Sequence, residues 1–228
     1  MKNFNVLICA RGGSKGLKNK NIKNFLGKPL IAWTILLAKK IPNVNKIIVS
    51  TDSLKIAAIS KKYGAEIPFI RPKILALDKS PEWKTWKHAI EFFDNKKIKM
   101  KGLVVLPVTS PLRNLMDVKK SIKYYLKYKC TVMCITRSNL NPYFNMVKKK
   151  KFCSLLINKK KYHSRQSAPP VYNMTTICFV VNPETIKKSS YLFDCKVFGL
   201  EVPKERSVDI DDINDFNYAQ FLKKKFND

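Results

Sequence analysis

Apolar residues along this chain fall into short, dense runs separated by longer stretches in which apolar and polar positions alternate with helical spacing. The runs at Asn5–Ala10, Lys46–Ser50, Ile67–Ile70, Leu103–Leu106, Thr131–Ile135, Ile177–Val181 and Val197–Val202 are too short for helices. Such runs predict buried strands. Between them the pattern predicts a helix from Pro29 to about Lys40, with proline at the tolerated first position. A second helix covers Leu54–Tyr63, with Gly64 as its C-terminal stop. Ser80-Pro81-Glu82 opens a third, with Ser80 as N-cap and Pro81 in the first turn. Asp117–Tyr128 and Asp215–Lys225 are the fourth and fifth. Strand and helix alternate, which predicts an α/β fold of three layers, α/β/α, around a mostly parallel sheet. Residues 137–175 break the rhythm with Asn141-Pro142, the Lys148–Lys151 run and Pro169-Pro170. They read as an excursion from the sheet within a single domain spanning 1–228, a length sufficient for a full core.

Charge changes the picture less than its size implies. The 45 Lys and Arg residues against 16 Asp and Glu give a formal charge of +29, which invites a nucleic-acid reading. Yet the only arginines are Arg11, Arg71, Arg113, Arg137, Arg165 and Arg206. Arginine is the residue that reads bases and phosphates bidentately. The lysines are scattered, as in Lys61-Lys62, Lys119-Lys120 and Lys223-Lys224-Lys225, and the Lys148–Lys151 run reads as a solvated turn. No specific nucleic-acid partner is expected, although a nonenzymatic nucleic-acid-binding protein stands as the rival reading from another class. Six cysteines form no CxxC pair and no zinc spacing with His88 or His163, so they read as reduced structural thiols. Those two histidines support no Ser-His-Asp system. No apolar run approaches the ~20 residues that span a bilayer. Met1-Lys2-Asn3 leads into the first strand without a signal-like pattern, so the expected location is the cytoplasm, with no membrane insertion.

The chemistry concentrates after the first strand. Val6–Ala10 runs into a loop of Arg11, Gly12, Gly13, Ser14, Lys15 and Gly16, with Lys20 and Asn21 at its exit. Glycines let the backbone approach a ligand closely, and successive free N–H groups can form an anion nest. Arg11, Lys15 and Lys20 add positive charge, and the end of a first α/β strand is where such ligands bind. Neither the Walker nor the dinucleotide glycine pattern fits, so the loop reads as a polyphosphate cradle or as a lysine-rich surface turn. Near the C-terminus, Asp209 and Asp211 are two residues apart and share a side if the segment is extended. Such a pair holds Mg²⁺ or else begins a capped helix.

These residues and their order also resemble a known family. The run ARxxSKGxxxKN (Ala10, Arg11, Ser14, Lys15, Gly16, Lys20, Asn21) is similar to the opening signature of the acylneuraminate cytidylyltransferases. The resemblance continues through Ile47–Ser53, Tyr63–Pro72, Thr109–Arg113, Arg165–Gln166 and Val208–Phe216, in family order. It implies a Rossmann-like nucleotidyltransferase sheet and a homodimer in which the excursion serves both the dimer interface and the sugar site. It further implies transfer of CMP from CTP to the anomeric hydroxyl of a sialic acid-like nonulosonic acid, a keto-acid sugar, with release of pyrophosphate. Nucleotide binding then falls to Arg11, Ser14, Lys15, Asn21, Arg71 and Ser80, and catalysis to Arg11, Lys20 and Asp211. Arg165 and Gln166 hold the sugar, with Arg165 on its carboxylate. Asp209 and Asp211 hold Mg²⁺, or Mn²⁺ in its place, and Asp212 and Asp215 are left for capping.

The sequence departs from that family at two places. Pro107-Val108 stands where many members carry Gln-Pro, and Tyr172–Thr176 lacks the usual Asn-Gly. Both lie in the sugar half, so the expected sugar differs from N-acetylneuraminate. The sister reading is an enzyme for an eight-carbon sugar of the 3-deoxy-manno-octulosonate type.

Overall fold

A computed structural model describes residues 4–158 and 160–225. The lead-in Met1–Asn3 lies outside them. In chain order, β1 (Phe4–Cys9) passes through the glycine loop and a short 3₁₀ turn (Lys20–Ile22) to a two-strand ribbon, β2 (Asn24–Phe25) and β3 (Lys28–Pro29). Then come α1 (Leu30–Ala38), β4 (Val44–Ser50), α2 (Leu54–Lys62), α3 (Glu82–Asn95), β5 (Gly102–Val105), α4 (Leu115–Tyr128) and β6 (Thr131–Arg137). The hairpin β7 (Val147–Lys149) and β8 (Cys153–Leu155) follows, then β9 (Tyr172–Val181), α5 (Pro183–Lys188), β10 (Val197–Glu201) and α6 (Ile213–Lys225).

Six strands form one sheet in the order β10-β6-β9-β5-β1-β4. The β1–β4, β1–β5 and β10–β6 pairs are parallel. Strand β9 lies antiparallel between β5 and β6, so it alone runs against the others. The alternation along each strand sorts side chains between two cores. Val6, Ile8, Val104, Leu106 and Val180 face one core, which is filled by α1, α4 and α6 through Leu30, Ile35, Val118 and Phe216. Leu7, Leu103, Val105, Phe179 and Val181 face the other, filled by α3 and α5 through Trp83, Trp86, Ile90 and Ile186. This is the expected three-layer α/β/α arrangement.

Several sequence expectations are corrected. Ile67–Ile70 is not a strand: only Glu66 bridges to Ile48 at the sheet edge, and Pro68 has no N–H to continue a ladder. Pro29 is the residue before α1, and Pro81 is the residue before α3. Ser80 is therefore pushed outside the helix and caps nothing. Helix α4 begins two residues earlier than read, because Asn114 accepts from the Met116 N–H while Asp117 reaches back to the Asn114 N–H. Likewise α6 starts at Ile213: Asp212 accepts from Asn214 and Asp215, and Asp215 accepts from Asp211 and Asp212. Gly64 does stop α2, at φ +92°. The short α5 was not anticipated. The excursion occupies the residues between β6 and β9 and carries the β7–β8 hairpin, with the Lys148–Lys151 run on its exposed tip.

Candidate active site

Beyond the carboxyl ends of β1 and β4 the glycine loop, residues 71–85, Pro107–Thr109, Thr176 and Asp211 enclose an open cavity of about 600 Å³. The loop is built from below. Ala10 N–H donates to Ser50 O at 3.0 Å, continuing the β1–β4 ladder by one residue. Gly12 N–H donates to Asp52 Oδ1 at 2.9 Å, so this loop N–H is spent on the protein and not offered to a ligand. Asn21, buried at the loop exit, donates through Nδ2 to Arg11 O at 2.9 Å and fixes the loop's turn from inside. Gly16 passes so close to Asp211 that a Cβ would collide with that residue's carbonyl oxygen.

The cations surround this cavity. Arg11 Nη1 lies 2.7 Å from Asp78 Oδ1, and Lys15 Nζ pairs with the other oxygen of the same carboxylate. The two cations hold the Asp78 carboxyl below its ordinary value, with the Lys15 hydrogen bond the larger cause. Lys20, mostly covered, donates to Ile210 O at 2.5 Å and to Asp211 Oδ1 at 3.1 Å. Arg71 is 5% exposed, with Nε on Ser50 Oγ at 3.0 Å and Nη2 on Ser50 O. Its guanidinium is thereby locked at the inner wall. Arg113 is buried behind the Pro107–Thr109 wall and donates to Thr34 Oγ1, Pro107 O and Thr176 O. Burial lowers its pKa to about 10. It braces the backbone on which the wall is built.

Arg11, Ser14, Lys15, Lys20, Asn21, Arg71, Ser80 and Asp211 therefore line one cavity. Asp211 is open to solvent, while Asp209 stands behind it, half-buried. Burial raises the Asp209 carboxyl above its ordinary value, the neighbouring Asp211 charge adds to this, and the Thr109 and Thr176 hydroxyls and Lys20 oppose it. One of its oxygens, Oδ1, is buried without a hydrogen-bond partner. An orphaned carboxylate oxygen beside a second carboxylate fits a cation. Among the described residues no group of three or more His, Cys, Asp or Glu forms a closed metal cage. A site completed by water and phosphate oxygens, as Mg²⁺ favours, fits this donor set.

Arg165 and Gln166 lie elsewhere. They are exposed and line a second cavity of about 440 Å³ with Arg137, Asn139, Glu201 and Lys204 at the ends of β6 and β10. Within one chain they do not share the first cavity. His88 packs edge-on against Phe69 with ring centroids 4.6 Å apart, its pKa lowered by burial, and His163 is exposed. Asp52 anchors the glycine loop, and Ser53 caps α2 by accepting from the Ile56 N–H. The sequence reading missed Asp78 and Glu82, both on the cavity wall. Asp78 had a visible signal as the lone acidic residue between Ile67 and Pro81 in a strongly basic chain. Glu82 had none beyond its place at a helix start.

A family model described as Cytidylyltransferase matches residues 5–225. Post-translational flagellin modification protein B of Campylobacter coli is 31% identical over 96% of this chain and 94% of its own length. The CMP-N,N'-diacetyllegionaminic acid synthase of Campylobacter jejuni is 33% identical over 94% of this chain and 92% of its own. An N-acylneuraminate cytidylyltransferase of Escherichia coli is 33% identical over 97% of this chain, which spans only 52% of that protein. Among solved structures, a CMP:2-keto-3-deoxy-manno-octonic acid synthetase with CTP superposes with a TM-score of 0.71, at 14% identity, over 98% of this chain and 99% of that one. At such low identity the match shows the shared fold. Sequence match, fold and residue order agree: the chain belongs to the cytidylyltransferase family and is a nucleotidyltransferase grouped with the acylneuraminate cytidylyltransferases.

Proposed function

We propose that this protein transfers CMP from CTP to the anomeric hydroxyl of a sialic acid-like nonulosonic acid. The observation that carries the reading is the convergence of Arg11, Lys15, Lys20, Arg71, Ser80 and Asp211 on one cavity at the end of β1. The anomeric oxygen attacks the α-phosphorus, the bond to the β-phosphate oxygen breaks, and pyrophosphate leaves. No covalent enzyme intermediate is required, so positioning and charge stabilisation do the catalysis. Arg11 and Lys15 exchange Asp78 for phosphate oxygens. Lys20, held by the Ile210 carbonyl, presents its charge beside Asp211. Asp209 and Asp211 are the pair that would hold Mg²⁺ or Mn²⁺. When bound, the ion neutralises phosphate charge and lowers the pKa of the attacking hydroxyl.

Arg165 and Gln166 remain our choice for the sugar, with the guanidinium on its carboxylate. Because they line a different cavity, this choice requires a homodimer in which one copy's excursion meets the other's nucleotide cavity. Exposed Leu140, Val147, Phe152 and Leu156 on the excursion support such a contact. Six free thiols fit a reducing compartment, and the cytoplasm is the location we propose. Among the described residues no helix is long and apolar enough to cross a membrane.

Pro107 and Val108 line the first cavity where a polar side chain would meet the sugar. A sugar polar group left unpaired there costs about 1–3 kcal/mol. The test is CTP turnover with a panel of eight- and nine-carbon keto-acid sugars, followed as phosphate after pyrophosphatase treatment. A nonulosonic acid less polar than N-acetylneuraminate should have the highest kcat/KM. N-acetylneuraminate best by about tenfold, or 1.4 kcal/mol, would overturn the Pro107 argument. Release only with eight-carbon sugars would favour the sister activity, and release with none would sink the reading.

A further inference from the structure

The inner part of the nucleotide cavity pairs an acceptor with a donor. Glu82 is the first residue of α3 and lines the cavity with Arg71, Ser80, Cys9 and Thr85. Its side chain is open to the cavity, yet protein surrounds it closely enough that burial is the main influence on its carboxyl and raises it. Trp86, the Arg71 charge and the Cys9 thiol oppose that rise, and Asp209 adds to it.

Both partners are held rigidly. Trp83 donates to Ser189 O at 3.0 Å and Thr85 to Leu75 O at 3.5 Å, and Trp83 and Trp86 are buried, which fixes the start of α3. Arg71 is locked on Ser50. An ionised carboxylate only accepts hydrogen bonds, and a guanidinium only donates them. The pairing edge of cytosine has one exocyclic amino donor and two acceptors. Uracil replaces that amino group with a carbonyl oxygen, so a carboxylate facing it meets lone pairs without a proton between them.

We infer that Glu82 is the residue that selects the cytosine base, accepting its exocyclic amino group while Arg71 donates to its acceptor edge. This rests on the CTP reading given above, and it assigns to Glu82 the choice among pyrimidine nucleotides. A fixed acceptor excludes uracil because it leaves the wrong base unpaired.

The experiment compares CTP and UTP, both as calorimetric affinity and as kcat/KM, for the full-length wild type, Glu82→Gln and Glu82→Ala. Glutamine keeps the shape but can either accept or donate. The CTP-to-UTP ratio should be high in the wild type and fall about 10- to 100-fold in Glu82→Gln, with a gain for UTP as well as a loss for CTP. Glu82→Ala should lose CTP affinity without gaining UTP, and it carries the test should Glu82→Gln fold poorly. Equal losses for both nucleotides, an unchanged ratio, or no preference in the wild type would each overturn the assignment. A wild type that binds neither nucleotide would overturn the CTP reading itself, and this inference with it. A wild type that binds CTP selectively but activates no sugar would instead overturn only the acceptor.

Discussion

Arg11 shows how much a single residue of this site is asked to do. Its guanidinium reaches Asp78 at 2.7 Å, a carboxylate it shares with Lys15. With triphosphate in place, the same donors face stronger charge. Charge-assisted hydrogen bonds are worth about 1.5–3 kcal/mol each, so Arg11→Ala should lower CTP turnover on the order of 10²-fold with the fold retained. Normal turnover in a folded Arg11→Ala protein would remove the loop from the nucleotide site. The Asp209–Asp212 segment divides two tasks between near neighbours. Asp212 caps α6 through Asn214 and Asp215, whereas Asp211 touches Lys20 and lines the cavity. Turnover should therefore fall steeply in Asp211→Asn and little in Asp212→Asn, whose cost is a cap of about 1 kcal/mol. Activity of the wild type should vanish in excess EDTA and return with Mg²⁺ or Mn²⁺. Equal tolerance of both substitutions would return Asp211 to a capping role.

At the scale of elements, the helix starts were legible in kind and misplaced in detail. Asn114 and Asp117 form a capping box, but Asp117 is also nearly sealed, at 2% exposure, and takes both Nε and Nη2 of Arg206 at 2.9 and 2.8 Å. That pair ties the turn after β10 to the start of α4 across 89 residues of sequence. Removing Arg206 strands a buried carboxylate. Arg206→Ala should cost about 2–3 kcal/mol, less than a fully buried pair because Arg206 is partly exposed. At this chain length that lowers Tm by about 5–10 °C. Arg206→Lys should recover only part of the loss, since an ammonium cannot reproduce the bidentate fork. A melt unchanged in Arg206→Ala would show that the pair contributes nothing net. No periodicity announces this contact, because its two partners come from different elements.

For the whole molecule, the charge of +29 comes mostly from lysines scattered along the sequence, with only six arginines among the 45 basic residues. Any DNA binding should be indifferent to sequence and collapse between low and physiological salt, measured by titration at two ionic strengths. A tight, salt-resistant and sequence-selective complex would overturn that view. The local pattern by itself determined six of the seven expected core strands, the inward alternation that divides two cores, the glycine loop with its cations, and the excursion. These follow from side-chain period and from chain-neighbour chemistry, which a sequence carries directly. Only the tertiary structure decided that β9 enters the sheet reversed, that Asp78 pairs with the loop cations, that Arg113 braces the wall from behind while Glu82 lines the cavity, and that Arg165 lies outside it. Strand direction depends on where the excursion returns the chain. Charge partners depend on which loops the sheet brings side by side. Both are set by contacts between distant segments, to which a local period is blind.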